Sequence, residues 1–468
     1  MAPEGLANRG GERLPDESVR AFAAAFGGGL VAPGDTSYEE ARRLFNGGID
    51  RRPGLICRPR DLEDVRRAVT FAAEHDVLLA VRGGGHNVAG NASCDGGLVI
   101  DFATMREVVV DPVRRTATAG PGTVWRDLDG ATQEHGLATT GGLISHTGVA
   151  GFTLGGGVGW LLRKHGLACD NLTGAQVVAA DGRVIEAGAG GDEELLWGLR
   201  GGGGNFGAVT SLRFQLHPLG QVYGGMAGHP LPRLGEMLRF FRDFVATAPD
   251  ELTCLAVQGP APDGSGHQVG VVAGCYAGDL AAGELAMQPV ADFGPPAMTH
   301  LGPAPYAGFQ RALDEGAPPG HAHYWKSHLL GELSDGAIDA VADHARTKTS
   351  PLSQVHIHHL GGAMARVAPE ATAFPHRSAR FIVNVIGEWE APGDADRHVA
   401  WVRSLWSALE PHSLGASWVN FLADEGGDPV RAAYGPNHGR LVALKDRYDP
   451  ENLFRLNQNI RPSGPVRV

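Results

Sequence analysis

The first half of the chain alternates between short apolar runs and stretches with helical spacing. The apolar runs that predict buried strands lie at 54–59, 77–81, 98–102 and 116–122. Behind the first of them Asp61 can cap a helix, whose apolar residues recur at Leu62, Val65, Val69 and Ala72. A second helix is predicted over 124–136, and residues 175–187 contain the Asp-Gly turn of a hairpin. This order predicts a mixed α and β region over 50–217.

The pattern changes beyond residue 217. Alternating apolar and polar residues occur at 354–367, 380–390 and 417–423, and this alternation is typical of an antiparallel sheet with two unlike faces. Helices are predicted over 234–248 and 394–412. They would cover one face of the sheet, which leaves the other face free to roof a ligand cleft between two domains.

Composition narrows the class of protein. The chain has 468 residues, of which 43% are hydrophobic and 20% charged, as in a globular protein of two or three modules. A net charge of −12 argues against nucleic acid as a partner. No apolar stretch reaches the roughly 20 residues that cross a membrane, and no signal peptide is recognisable, so we expect a cytoplasmic protein. Five cysteines without close pairing predict no disulfide framework.

Glycine is the informative residue type. The chain has 69 glycines, and clusters lie at 82–86, 141–142, 154–159 and 200–207. Loops with many unencumbered N–H groups bind anions, and pyrophosphate is their usual ligand. None of the clusters keeps the GxGxxG spacing or the Lys-Ser/Thr of a P-loop, which argues against a nicotinamide-binding fold or an NTPase.

Four long motifs resemble one family. Residues 81–102, 145–172, 199–218 and 434–460 are similar, in order and spacing, to the FAD-linked oxidases of the berberine bridge enzyme type. The resemblance implies an α+β fold with a two-subdomain, PCMH-type FAD-binding domain and a substrate domain built on an antiparallel sheet backed by helices. The implied divisions are an N-terminal segment packing on the FAD domain, the FAD domain, the substrate domain and a C-terminal segment completing the FAD domain, at 1–50, 51–217, 218–430 and 431–468.

The family carries FAD on the His of an RGGGH motif, which here is His86. The resemblance therefore implies a covalent link from His86 to the 8α-methyl of FAD. A histidine that only caps the loop or binds a phosphate is the alternative. The implied cofactor-binding residues are Arg82, Gly83, Gly84, Gly85, His86, Asn87, Val88, Gly90, Gly141, Gly142, Ser145, His146, Thr147, Gly148, Gly151, Gly155, Gly156, Gly157, Val158, Asp170, Asn171, Val209, Asn457, Gln458 and Asn459.

Some members of the family attach FAD a second time, through a cysteine upstream of the triple-glycine loop. The corresponding segment here, 145–149, has no cysteine. The sequence therefore resembles the singly linked branch. Cys169 lies after that loop, and we expect it to be a buried packing residue instead; Cys94 is a still weaker candidate.

The catalytic base is less clear from the resemblance. Many relatives have an Asn-Tyr pair at the start of the C-terminal helix, where this chain has Asn437 and His438. Histidine accepts protons near neutral pH, so His438 is the candidate base and Tyr434 the substitute. His438 could equally be a surface residue of the first helical turn. Lys326 is expected to have a structural or supporting polar role.

The histidines of 354–367 raise the question of a metal. On a strand His356 and His358 share a face and His359 points away, and no nearby Cys, Asp or Glu completes a ligand set. The prediction is therefore no metal, with pocket-lining or ordinary sheet histidines.

Taken together, the resemblance implies a FAD-dependent oxidase, a monomer or homodimer, that takes a hydride from a small molecule and is reoxidised by O2 with formation of H2O2. The expected substrates are alcohols, amines or intermediates of secondary metabolism, with oxidative cyclisation as an option. A dehydrogenase or redox-neutral cyclase that does not use O2 is one alternative. A degenerate flavin fold that only binds a ligand is the other.

Overall fold

The computed structural model describes residues 5–390, 393–423 and 427–465. Near the N-terminus lie two helices, α1 (Asp16–Ala25) and α2 (Tyr38–Ala41), and a small four-stranded sheet. Its strands are β1 (Gly29–Val31), β2 (Leu55–Arg58), β3 (Leu79–Arg82) and β4 (Leu98–Asp101), in the order β1-β2-β4-β3. Helix α3 (Leu62–Glu74) links β2 to β3, and the Asp61 carboxylate caps it by accepting the N–H of Asp64. The predicted strands and helix of this region are confirmed.

A second, five-stranded antiparallel sheet follows, with strand order β5-β6-β10-β8-β9. Its strands are β5 (Val108–Asp111), β6 (Thr116–Ala119), β8 (Leu172–Val178), β9 (Val184–Gly188) and β10 (Ala208–Gln215). The short strands β7 (Leu137–Ala138) and β11 (His217–Pro218) pair with each other. The helices of this part are α4 (Trp125–Gln133), α5 (Val149–Leu154), α6 (Leu162–His165) and α7 (Glu193–Leu199).

The third sheet is large, seven-stranded and antiparallel throughout, in the order β15-β12-β14-β13-β17-β18-β16. Its strands are β12 (Gln221–Pro230), β13 (Leu252–Pro260), β14 (Gln268–Tyr276), β15 (Met298–Pro305), β16 (Ala322–Leu330), β17 (Gln354–His359) and β18 (Phe381–Trp389). The helices of this region are α8 (Leu234–Val245), α9 (Leu280–Asp292), α10 (Tyr306–Phe309), α11 (Asp335–Ala345), α12 (Ala363–Arg366) and α13 (Ala395–Leu409). Apolar residues of α8, α9, α11 and α13 pack with Val355, Ile357, Val383 and Val385 in one core, so one sheet face is covered by helices.

The C-terminal segment returns to the glycine-rich half. It contains α14 (Gly427–Tyr434) and α15 (His438–Tyr448). Leu444 and Tyr448 pack in the same core as Phe206. The buried Lys445 ammonium donates to the Asn205 carbonyl at 2.9 Å and to the Asp449 carboxylate at 2.6 Å. These contacts hold the end of the chain against the five-stranded sheet.

Two stretches of predicted alternation do not form strands over their whole length. The 417–423 prediction is wrong, because Val419–Phe421 forms a single 3-10 turn and Trp418 Nε1 donates to the Gly155 carbonyl at 3.1 Å. Strand β17 ends at His359, where Gly361 at φ 102° turns the chain into α12. Within the described residues no helix is long and apolar enough to cross a membrane.

Candidate functional site

A cavity of about 420 Å³ lies between the glycine loops and the face of the seven-stranded sheet that the helices leave uncovered. Its floor comes from the four-stranded and five-stranded sheets and their loops, and its far side comes from the C-terminal segment. Of the predicted cofactor-binding residues, it is lined by Gly83, Gly84, Gly85, His86, Asn87, Gly142, Thr147, Gly148, Gly151, Gly155, Val158, Val209, Asn457 and Gln458.

Two of the loops meet backbone to backbone. A Cβ on Gly84 would lie 2.4 Å from the Gly148 nitrogen, and a Cβ on Gly148 would lie 2.4 Å from the Gly84 nitrogen. Gly85 follows at φ 72°, a left-handed conformation that favours glycine. Glycine is therefore required at Gly84 by close packing and at Gly85 by backbone geometry.

The cavity suits a dinucleotide. At Gly151 and Gly204, both on its wall, a Cβ would have no other atom within 4 Å, so the backbone is open to a bound group. The Oδ1 atom of Asn457 is buried without a hydrogen-bond partner in the described part of the chain, and it also lies on this wall. Exposed backbone and an unpaired acceptor are what a polar cofactor would satisfy, so the residues present fit FAD.

His86 is held from three sides. The Phe45 ring stacks on its imidazole with ring centroids 4.3 Å apart and planes inclined by 15°. Its Nε2 atom is hydrogen-bonded to Nδ1 of His146 at 2.9 Å, and its Nδ1 atom lies 3.4 Å from the Thr147 hydroxyl. Burial, with the neighbouring His146 and His323, lowers the pKa of His86 to about 3. The imidazole is therefore neutral and oriented toward the cavity at physiological pH.

The roof of the cavity is a sheet face with an unusual number of polar side chains for a buried surface. Strand β16 contributes His323 and Trp325, β17 contributes Gln354, His356 and His358, and β18 contributes Asn384, Ile386 and Glu388. His359 points to the opposite side, where its Nε2 atom lies 3.2 Å from the Arg163 guanidinium. In the described ranges no group of three His, Cys, Asp or Glu side chains is placed to hold a metal ion.

Several predicted cofactor residues lie outside the cavity lining, and some of them have contacts that stabilise the surrounding loops. These are Arg82, Val88, Gly90, Gly141, Ser145, His146, Gly156, Gly157, Asp170, Asn171 and Asn459, none of which lines the cavity. The Arg82 guanidinium pairs with the buried Asp101 carboxylate at 2.8 Å, and Ser145 bonds Asp314 through its hydroxyl at 2.5 Å.

Asp170 forms a buried two-bond ion pair with Arg377, at 2.7 and 2.8 Å, which ties the turn after the triple-glycine loop to the segment after α12. The Asn171 amide donates to the carbonyls of His165 and Leu167, at 2.9 Å each. Both residues fix the turn and do not reach the cavity.

Cys169 is fully buried and does not line the cavity. Burial raises the pKa of its thiol well above the ordinary value, and the adjacent Asp170 carboxylate raises it further. Because the thiolate is the reactive form, this position suits packing and not chemistry.

The structure does not support His438 as the base. His438 is the first residue of α15 and is only half-buried, and it does not line the cavity. Its neighbour Asn437 donates to the carbonyls of Pro369 and Thr372, at 2.9 and 3.0 Å, so Asn437 anchors a loop.

Tyr434 does line the cavity, but its hydroxyl lies 3.2 Å from the Gly202 carbonyl and 3.1 Å from the Gln458 carbonyl. Burial raises the pKa of this phenol above its usual value. Its contacts fit a residue that joins two segments of the wall.

Sequence reasoning missed the polar residues of β18 and the stacking residue Phe45. The alternation over 380–390 was the available signal, because it places Asn384, Ile386 and Glu388 on one face. No local pattern indicates Phe45, which reaches His86 only in the folded chain.

The fold and the cavity define a flavin-binding oxidoreductase. A family model described as FAD binding domain matches residues 53–188, and one described as berberine and berberine like matches residues 417–461. A FAD-linked oxidoreductase of Dictyostelium discoideum is 30% identical over 451 residues, which span 95% of this chain and 97% of the relative. The chain therefore belongs to the berberine bridge enzyme-like FAD-linked oxidoreductases and is an enzyme.

Oxidases are among its relatives and structural neighbours. The (R)-6-hydroxynicotine oxidase of Paenarthrobacter nicotinovorans is 29% identical over 450 residues, covering 93% of this chain and 97% of that enzyme. The crystal structure of 6-hydroxy-D-nicotine oxidase from Arthrobacter nicotinovorans superposes with a TM-score of 0.86 at 27% identity, over 94% of this chain and 99% of the other. A chitooligosaccharide oxidase shares the fold, with a TM-score of 0.85 at 24% identity over 96% of this chain and 100% of the other.

Proposed function

We propose that the protein is an oxidase of small-molecule alcohols or amines that holds FAD through a single covalent bond to His86. The observation that carries this is the neutral His86 imidazole, fixed by Phe45 and His146 on the wall of a glycine-lined cavity. The chemistry that FAD supplies when bound is two-electron oxidation, in which it takes a hydride from the substrate and is reoxidised by O2 to give H2O2.

The residues of the chain have separate roles in this proposal. The backbone N–H groups of the glycine loops bind the pyrophosphate, and His86 provides the attachment. The sheet face above the cavity binds the substrate and excludes water. The full-length likeness to (R)-6-hydroxynicotine oxidase supports a small-molecule substrate.

Mass analysis of tryptic peptides from the purified, denatured protein tests the attachment. We expect FAD on the peptide that contains His86 and on no other, and its loss in His86→Ala. His267→Ala, at an exposed histidine, is the control and keeps the link. FAD that leaves the wild-type chain on denaturation contradicts the covalent part of the proposal.

Oxidase activity is tested separately with a panel of alcohols and amines. A compound that bleaches the flavin without air should also give H2O2 in air at a comparable rate. Bleaching without reoxidation by O2 would identify a dehydrogenase. A flavin that dithionite reduces but no compound bleaches contradicts the proposed oxidation of alcohols and amines.

A further inference from the structure

The polar side chains of the cavity roof form one connected row. Gln354 and His356 lie two residues apart on β17, so they share the cavity face. His356 is directly opposite Asn384 of β18 in the strand register. Glu388 lies further along β18 on the same side.

Hydrogen bonds along this row determine which nitrogen of His356 carries its hydrogen. The Glu388 carboxylate is anchored by Nδ1 of His321 at 2.7 Å, and its other oxygen accepts from the Gln354 amide nitrogen at 3.4 Å. The Gln354 carbonyl oxygen therefore faces Nε2 of His356, at 2.9 Å. Because that oxygen can only accept, Nε2 must be the protonated nitrogen.

A neutral imidazole has one hydrogen, so the Nδ1 atom of His356 carries a lone pair. No hydrogen-bond partner for Nδ1 is found among the residues that the structure describes. On the same roof the Oδ1 atom of Asn384 and the Nε2 atom of His358 are buried without hydrogen-bond partners in the described part of the chain. Asn384 is 1% exposed, and a hydrogen-bond donor of a bound ligand would offset the desolvation of its unpaired carbonyl oxygen.

We propose that His356 is the catalytic residue that accepts the proton of the substrate's O–H or N–H group, and that Gln354 is the positioning residue that presents Nδ1 of His356 to the cavity. This inference rests on the proposed oxidase function. Asn384, opposite His356, binds the same heteroatom. Trp325 and Ile386 of the same roof, with Phe421 beside them, add apolar surface, so the substrate is a largely apolar alcohol or amine.

The proposed oxidation removes one proton and one hydride from the substrate. The O–H or N–H bond breaks and its proton joins Nδ1 of His356, the neighbouring C–H bond breaks and its hydride passes to FAD, and a C=O or C=N bond forms. The substrate loses two electrons and FAD gains them. Since Glu388 is at the other end of the hydrogen-bond chain, its carboxylate offsets the positive charge of the imidazolium.

The groups around His356 leave it neutral before the reaction. Burial lowers the pKa of His356 to about 4. The groups that face it are Gln354 and His358 on its own strand and Asn384 on β18, with Val257 opposite it on β13. Glu388 is reached through Gln354, and Lys348 lies beyond Glu388.

Two variants and a control test the assignment. His356→Phe removes the acceptor, Gln354→Leu removes the group that selects the tautomer, and His300→Phe changes an exposed histidine of the edge strand β15 in the same sheet. The probes are 1-phenylethanol and 1-phenylethylamine, mixed with the holoenzyme without air. We expect flavin bleaching to slow about 100-fold or more in His356→Phe, with FAD content unchanged. Gln354→Leu should slow it about 10-fold and move the acid limb of its pH profile, and His300→Phe should match the wild type.

A second readout does not need turnover. In ¹⁵N spectra of histidine-labelled protein, the signal that disappears in His356→Phe should show hydrogen on Nε2 in the wild type and a mixture of tautomers in Gln354→Leu. Hydrogen on Nδ1 in the wild type, or bleaching at the wild-type rate in His356→Phe, overturns the inference. If neither probe bleaches the wild-type flavin, the proposed substrate class fails, and the tautomer of His356 still decides whether Gln354 has its assigned role.

Discussion

The Phe45 ring lies between two histidines, 4.3 Å from the ring of His86 and 4.8 Å from that of His323. The plane of the Phe45 ring is inclined by only 15° to the His86 ring and 16° to the His323 ring. The three rings therefore form a continuous stack that joins the loop after β3 to the first residues of β16. The orientation of the His86 ring is thus set by a side chain from the N-terminal segment and by the seven-stranded sheet.

Phe45→Ala should therefore lower the fraction of chains with covalent FAD while leaving the fold intact. Without the stack the His86 ring can rotate, and covalent bond formation depends on geometry. In-gel flavin fluorescence of denatured protein, normalised to total FAD, measures this fraction. Phe240→Ala, a half-buried phenylalanine on α8, is the control, and equal covalent fractions in the two variants would contradict the prediction.

Cys169 should react neither with the flavin nor with thiol reagents in the native protein. Cys169→Ala is expected to keep the covalent link at His86, since the thiol is buried away from the cavity and its pKa is raised. A maleimide should label none of the cysteines in the native protein and all five in denaturant. A flavin adduct on the Cys169 peptide would refute this assignment.

Breaking the Asp170–Arg377 ion pair should lower the free energy of unfolding by several kcal/mol. Asp170→Asn leaves the guanidinium of Arg377, whose side chain is 2% exposed, without its charge partner, and removal of one member of a buried pair costs about 3–5 kcal/mol. The free energy of unfolding in urea measures the loss. The double variant Asp170→Asn/Arg377→Met should recover part of it, whereas additive losses would show that the two side chains act independently.

We expect a substitution at His438 to leave flavin reduction nearly unchanged and a substitution at Tyr434 to lower the stability of the protein. His438→Ala is expected to leave flavin reduction within about threefold of the wild type, as for a residue outside the site. Tyr434→Phe loses a buried hydroxyl that bridges two segments, and should lower the free energy of unfolding by about 1 kcal/mol. A 100-fold slower reduction in His438→Ala, at unchanged FAD content, would restore His438 as a candidate base.

Stability should fall in mild acid because of a stacked histidine pair. The rings of His165 and His217 lie 3.8 Å apart, and burial, with His217 and Lys164 nearby, lowers the pKa of His165 to about 3. The unfolded chain binds this proton near pH 6.5, so the stabilisation is complete above that pH and is lost as the pH falls toward the folded-state pKa.

His165→Phe keeps the stack and removes the titration. We expect it to flatten the pH dependence of the unfolding free energy by about 1 kcal/mol per pH unit between pH 6 and 4. His267→Phe, at an exposed position, serves as the comparison. An unchanged slope in His165→Phe would mean that other groups dominate acid unfolding.

Much of the site was predictable because its signals are local. The glycine clusters indicated anion-binding loops, and the RGGGH motif identified His86 through the family resemblance. The spacing of His356 and His358 placed both on one face of a strand, since side chains alternate with a period of two. The same alternation over 417–423 predicted a strand wrongly. That segment is held by hydrogen bonds to Ser327 and to the glycine loop instead of by pairing with a neighbouring strand.

The sequence by itself determined the family, the glycine-rich loops and the residues that share each strand face, because these depend on near neighbours and on recurring motifs. Only the tertiary structure decided which face meets the cavity and which polar residues remain unpaired there. Phe45 stacks on His86, and Asp170 pairs with Arg377, which is 207 residues away in the sequence. Gln354 links Glu388 to His356 through hydrogen bonds. Such pairings depend on how sheets and loops pack across long sequence separations, and no local pattern of residues records that packing.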